Sequence, residues 1–138
     1  MRLRRATCET VARRKQLEYY EGRERFMDCL FCKIAAGEIP STKVYEDETV
    51  LAFRDIDPKA PFHAVIIPKA HITSAAEITA QNSAAVAHVF EVVAEIARRE
   101  KLQKGFRVVT NCGEEGGQTV GHLHFHLLAG RSLGWPPG

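Results

Sequence analysis

Gly121-His122-Leu123-His124-Phe125-His126-Leu127-Leu128 sets polar and apolar side chains in strict alternation, and a period of two is the period of a β-strand. On such a strand His122, His124 and His126 share one face, about 7 Å apart at alternate positions. Leu123, Phe125 and Leu127 turn the other way, into a core. Three imidazoles on one face with no ligand, anion or hydrogen-bond network would leave several ring nitrogens desolvated, at about 1–3 kcal/mol each. The row therefore points to chemistry on a phosphate or a metal.

Outward from this run, the strand is expected over Gly121 to Ala129, with Phe106 to Asn111 as its hairpin partner across Cys112 to Val120. His63 to Pro68 is a β-branched run buried on both faces, hence a central strand. Lys43 to Glu46 and Thr49 to Arg54 form a second hairpin around Asp47. Asn82 or Ser83 is expected to cap a long helix running to about Lys101, with Val86, Val89, Val93 and Ile96 as its buried stripe. Glu95 and Arg99 form an i,i+4 pair on it, Gly105 closes it, and His88 faces solvent. Leu30 to Ala36 reads as a short helix stopped by Gly37. The order β-β-β-α-β-β predicts an α+β fold: a mainly antiparallel five-stranded sheet with one long helix and a short N-terminal helix.

A chain of 138 residues with 45% hydrophobic content supports one core. Residues 27–138 are expected to form one domain behind a basic extension, residues 1–26, that is helical or disordered. That extension holds eight Arg/Lys against four Glu, and Met27 is an alternative start point. The glutamates dilute its field and no aromatic-basic pattern accompanies it, so nucleic acid is not expected as a partner. No apolar stretch has bilayer length and no secretory h-region opens the chain, so no membrane partner is expected and the location is cytoplasmic.

The cysteines at positions 8, 29, 32 and 112 do not make a disulfide framework. Cys29-x-x-Cys32 offers half of a tetrahedral zinc site, and by spacing alone an inert pair or a redox pair competes with that reading. Before the histidines stands Asn111-Cys-Gly-Glu-Glu-Gly-Gly-Gln-Thr119, whose three glycines let backbone N–H groups approach an anion, with Asn111 and Thr119 as donors at its ends. A plain turn competes there, and Glu114 and Glu115 must face solvent for an anion to enter.

A neutral imidazole is a competent nucleophile near pH 7. Attack on phosphorus gives a phosphoryl- or nucleotidyl-histidine that water then cleaves. A neighbouring histidine protonates the leaving group, and backbone amides with Asn111 hold the non-bridging oxygens. Zinc gripped by His-x-His is the rival use of the same residues, although no carboxylate adjoins the triplet.

These residues resemble the histidine triad (HIT) family, in its purine nucleoside phosphoramidase, or histidine triad nucleotide-binding, branch. The match runs from Asp28 to Gly138 through Cys29-Leu-Phe31-Cys32-Lys-Ile34, Gly37-Glu-Ile-Pro-Ser41, Phe53-Arg-Asp-Ile56, His63 to His71, Asn111, Gly116-Gly-Gln-Thr119 and Trp135-Pro-Pro-Gly138. The resemblance implies a HIT-like homodimer with one continuous sheet, hydrolysing purine nucleoside 5′-phosphoramidates through a nucleotidyl-histidine. It implies His124 as nucleophile, supported by His126, His122 and Thr119. Asn111, Gly117, Gln118 and Thr119 would meet the phosphate and Asp55 the ribose. Phe31, Ile34, Ile39, Phe53, Ile56 and Val65 would line the base pocket, with Trp135 near the partner's site. His63 would lie close to the triad.

No cofactor is implied for catalysis. A structural zinc on Cys29, Cys32, His71 and His122 is implied by relatives that carry the cysteine pair. Two other readings stand beside this one: a nucleotide-binding regulatory module with incidental turnover, and a zinc protein whose histidine row is the metal site. The sequence departs from the family pattern at Thr119, where serine is common, at Gly121, where an aromatic is usual, and at Ala129, where glycine is frequent.

Overall fold

The computed structural model describes residues 29–138; the basic extension expected over residues 1–26 lies outside them. The elements run α1 (Leu30–Ala35), β1 (Lys43–Glu46), β2 (Val50–Arg54), β3 (Phe62–Pro68), a 3-10 turn (Ala75–Glu77), α2 (Ser83–Arg99), β4 (Phe106–Val109) and β5 (Phe125–Ala129). The strands form one sheet in the order β1-β2-β3-β5-β4, every neighbour antiparallel. This is the α+β architecture expected from the sequence, and β3 is buried at all seven positions, as a central strand should be.

Alternation divides each strand between two cores. Val50 and Ala52 of β2, Phe62, Ala64 and Ile66 of β3, and Leu123, Phe125, Leu127 and Ala129 pack against α2. Leu51 and Phe53, with Val65 and Ile67, face the opposite side, where α1 adds Phe31, Cys32 and Ile34. A helix of six residues is not stable alone in water, so α1 exists because this second core holds it. Its first turn is closed by Cys29, whose sulfur accepts from the Cys32 amide at 3.4 Å.

The histidine strand is shorter than expected, beginning at Phe125 rather than Gly121. The ladder to β3 starts at Ile66↔Phe125, and beyond it two side-chain bonds and one isolated backbone bond replace the regular pairing. The Pro68 carbonyl accepts from His122 Nε2 at 2.8 Å, the Leu123 amide donates to Ile72, and the His124 carbonyl accepts from the Thr110 hydroxyl at 2.9 Å. Proline has no N–H to continue a ladder, and β4 also ends early, at Val109. Leu123 is nonetheless buried with Phe125 and Leu127 in the core under α2, as their alternation requires.

Helix α2 buries Val92 as well as Val89, Val93 and Ile96, a wider stripe than the expected one, while Val86 is only partly buried. Asn82 occupies the N-cap, but its side chain turns back to the Thr79 amide and the Glu77 carbonyl instead of capping. Lys101, with φ 56°, ends the helix in place of Gly105, which precedes β4. The Glu95–Arg99 pair forms at 2.7 Å.

His88 is not a free surface residue. Its Nε2 meets Asp47 Oδ2 at 2.6 Å, joining α2 to the β1–β2 turn that Asp47 itself organises by accepting from the Thr49 and Val50 amides and the Tyr45 hydroxyl. The hydrogen bond to Asp47 raises the imidazole above its ordinary range. Asp47 is held well below the carboxylate range: burial pushes it up, but His88, Thr49 and Tyr45 outweigh burial. A raised histidine contributes stability in full below its unfolded value, about 6.5, and loses it as pH rises through the folded value. His88→Ala is expected to lower stability by about 0.5–1 kcal/mol at pH 6, and the gap in melting temperature should shrink by pH 9.

Candidate functional site

Two adjoining constellations occupy the face of the sheet that carries α1. In the first, His122 is fully buried, and its Nε2–H is committed to the Pro68 carbonyl, which leaves the lone pair on Nδ1. That atom lies 3.4 Å from Cys29 Sγ and 3.5 Å from Cys32 Sγ, while His71 Nδ1 lies 3.2 Å from Cys32 Sγ. All four donor atoms fall within 4.8 Å of one another. A tetrahedral zinc with its usual bond lengths has edges of about 3.5 Å between such donors, so the spacing fits.

The donor chemistry fits as well. Burial lowers His122 to about 4 and also lowers His71, keeping both imidazoles neutral. Burial, reinforced by Cys29, pushes the Cys32 thiol up to about 12, so a cation is what would draw its proton off. The four residues that the family resemblance implies as metal donors are thus brought together by the fold, from the start of α1, the segment after β3 and the run before β5.

In the second constellation each histidine is oriented by a neighbour. His124 is 4% exposed. Its Nδ1–H donates to the His122 carbonyl at 2.7 Å, leaving the lone pair on Nε2. His63 Nδ1 accepts from the Lys59 amide at 3.0 Å, so its Nε2–H donates to His126 Nδ1 at 2.8 Å. His126 then carries its proton on Nε2. Asp55 Oδ2 stands 3.4 Å from His63 Nε2 and 4.0 Å from His126 Nδ1, and Asp55 Oδ1 accepts from the Asp57 amide. Burial, and after it His124 and His63, lower His126 below the usual imidazole range against an opposing pull from Asp55.

The rings of His124 and His126, 5.1 Å apart, open onto a cleft of about 800 Å³, within the range of small-molecule sites. Phe31, Ile34, Phe53 and Val65 form its apolar wall, and Asp55, the fully exposed Ile56 and Thr119 complete its lining. Leu30, Val120 and the turn Pro40-Ser41-Thr42 also line it, none of them expected from the sequence. Leu30 had no signal in the sequence, since its 44% exposure on the helix between Cys29 and Cys32 appears only in the folded chain. The turn had none, because only the path of the chain into β1 brings it to the cleft.

Other expected residues take different places. Ile39 packs behind the apolar wall, and Trp135 is 83% exposed on the C-terminal tail, away from this cleft. Asn111 and Gly117 belong to the loop beside Thr119 and do not line the cleft wall. The Gly117 and Gln118 amides donate within the turn, to Glu114 and Gly113. Gln118 clasps the loop: its Nε2 donates to the Thr73 and Val120 carbonyls at 2.8 and 3.0 Å, and its Oε1 accepts from the Gly113 amide. The turn needs its glycines, because a Cβ on Gly116 would strike the Cys112 carbonyl and Gly117 has φ 79°.

The HIT domain model matches residues 36–133. A 14 kDa zinc-binding protein of Zea mays is 49% identical over 111 residues, which cover 79% of this chain and 87% of the relative. Among solved structures, a HIT family hydrolase from Legionella pneumophila superposes with a TM-score of 0.79 at 49% identity, over 80% of this chain and all of the other. A histidine triad nucleotide-binding protein from Candida albicans superposes with a TM-score of 0.68 at 35% identity, over 79% and 83% of the two chains.

Proposed function

Because the chain belongs to the HIT domain family, we propose that it hydrolyses purine nucleoside 5′-phosphoramidates through a nucleotidyl group carried on His124. The observation that carries this reading is the hydrogen bond from His124 Nδ1 to the His122 carbonyl. A carbonyl can only accept, so His124 keeps an Nε2 lone pair at the edge of a cleft with apolar walls for a purine and the Asp55 carboxylate for a ribose.

In the first step His124 Nε2 bonds to phosphorus and the phosphorus–nitrogen bond of the substrate breaks. The departing amine takes the proton that His126 presents to the cleft on Nε2. In the second step water attacks phosphorus, its proton returns to His126, and nucleoside monophosphate leaves with His124 restored. The Thr119 hydroxyl, on the lining of the cleft, holds a non-bridging oxygen as charge builds; the Gly117 and Gln118 amides are bonded within the turn, so the support from the loop falls to Asn111.

We infer that Cys29, Cys32, His71 and His122 hold a structural zinc, as the donor set favours and as the name of the maize relative suggests. Bound there it would staple α1 to the segment before β5 and take no part in either step. This use of His122 weakens the reading in which the histidine row itself is the metal site, because the row is split: His122 groups with the cysteines and His71, His126 with Asp55 and His63, and His124 with neither. A cytoplasmic setting suits reduced thiols, and no described helix is long and apolar enough to cross a membrane. A homodimer continuing the sheet would use the edge strand β4, whose Phe106 is 44% exposed.

Rapid mixing with adenosine 5′-phosphoramidate, quenching in base and peptide mapping should find an acid-labile adenylyl group on His124. Turnover with no such adduct at any time point would contradict the nucleotidyl-histidine.

A further inference from the structure

The metal-ligating group and the cleft share their parts. Phe31, between the two cysteines on α1, sets its ring edge-on to His124 at 5.0 Å between centroids and reaches Phe53 at 5.6 Å. Leu30, Thr119 and Val120 line the cleft on one side and, on the other, a depression of about 590 Å³ that borders Cys29 and His71. His122 joins the two chemistries in one residue: its ring faces the sulfurs while its carbonyl orients His124. The run after His71 completes the loop, since Ile72 accepts from the Leu123 amide and Thr73 from Gln118 of the glycine turn.

A helix as short as α1 depends on its attachments for order. Whatever fixes Cys29 and Cys32 therefore fixes Leu30, Phe31 and Ile34 as a cleft wall, and a base seated against that wall holds the cysteines in return. We propose that the Cys29–Cys32–His71–His122 group and the nucleoside cleft form one coupled unit, so that nucleotide bound in the cleft tightens the grip of these four residues on zinc. Linkage makes the coupling reciprocal: zinc raises nucleotide affinity by the same factor. The proposal rests on the reading of the cleft as a purine nucleotide site and on zinc as the metal.

The test uses the full chain loaded with zinc and measures zinc affinity by equilibrium competition with a chromogenic chelator, with and without saturating AMP. AMP should tighten zinc binding by about five-fold or more. Phe31→Ala keeps all four donors, and in that variant saturating AMP should change zinc affinity little. An unchanged zinc affinity in the parent chain, although AMP binds, overturns the coupling and leaves the hydrolase reading standing. An equal tightening in Phe31→Ala also overturns it, since the effect would then come from global folding rather than from the shared wall. Failure of the zinc-loaded chain to bind AMP at all removes the nucleotide reading, and the coupling with it.

Discussion

His124→Ala is expected to lower the turnover of adenosine 5′-phosphoramidate by about 10⁴-fold or more while AMP still binds within a few-fold of the parent affinity. The asymmetry follows from what the ring contributes. In the proposed reading nucleoside affinity comes from the apolar wall of Phe31, Ile34, Phe53 and Val65, which remains in place, whereas bonding to phosphorus is confined to one nitrogen.

Neither neighbour can substitute. His122 has Nε2 on the Pro68 carbonyl and Nδ1 against two sulfurs, with no exposed surface. His126 has its Nδ1 occupied by His63 and its proton on Nε2, which makes it a donor toward the cleft rather than a nucleophile. Steady-state rates and AMP titration of the folded variant check this together. Hydrolysis within about ten-fold of the parent would exclude His124 as the covalent carrier.

The second large effect concerns stability. Cys32→Ser should lose bound zinc, read by mass spectrometry of the native protein, and destabilise the chain by about 4 kcal/mol or more, because metal binding free energy is folding free energy. Cys32 is 4% exposed on a helix with only three buried side chains, so little else compensates for it. The fraction that stays folded should still hydrolyse substrate, with weaker nucleotide affinity, since no chemical step passes through the metal. Chelation that abolishes hydrolysis while circular dichroism shows an intact fold would instead favour a metal acting on substrate.

Much of this was legible in the residues because it rests on period and local stereochemistry. The alternation of Leu123, Phe125 and Leu127 with histidines put the apolar side chains under α2 and the imidazoles opposite. The β-branched run ending at Pro68 reads as a central strand because both its faces are apolar. What failed locally failed where a side chain replaced a backbone partner. The ladder before Phe125 gives way to the His122–Pro68 bond, and His88, unremarkable on a helical wheel, finds Asp47 forty-one positions earlier.

The sequence by itself determined the strand and helix order, the Cys29-x-x-Cys32 pair and the row of imidazoles, since each depends on residue type and spacing along the chain, whereas His71 and His122 joined the cysteine pair as candidate donors only through the family resemblance. Only the tertiary structure decided which nitrogen of each histidine is free, that His63 orients His126, that Gln118 clasps the glycine turn, and that Pro40-Ser41-Thr42 reaches the cleft. A tautomer is chosen by the partner on the far side of the ring, and these partners come from Lys59, His63, Pro68 and the His122 carbonyl. His63 and Pro68 lie more than fifty positions from the rings they orient, where spacing carries no information, while Lys59 and the His122 carbonyl are within four.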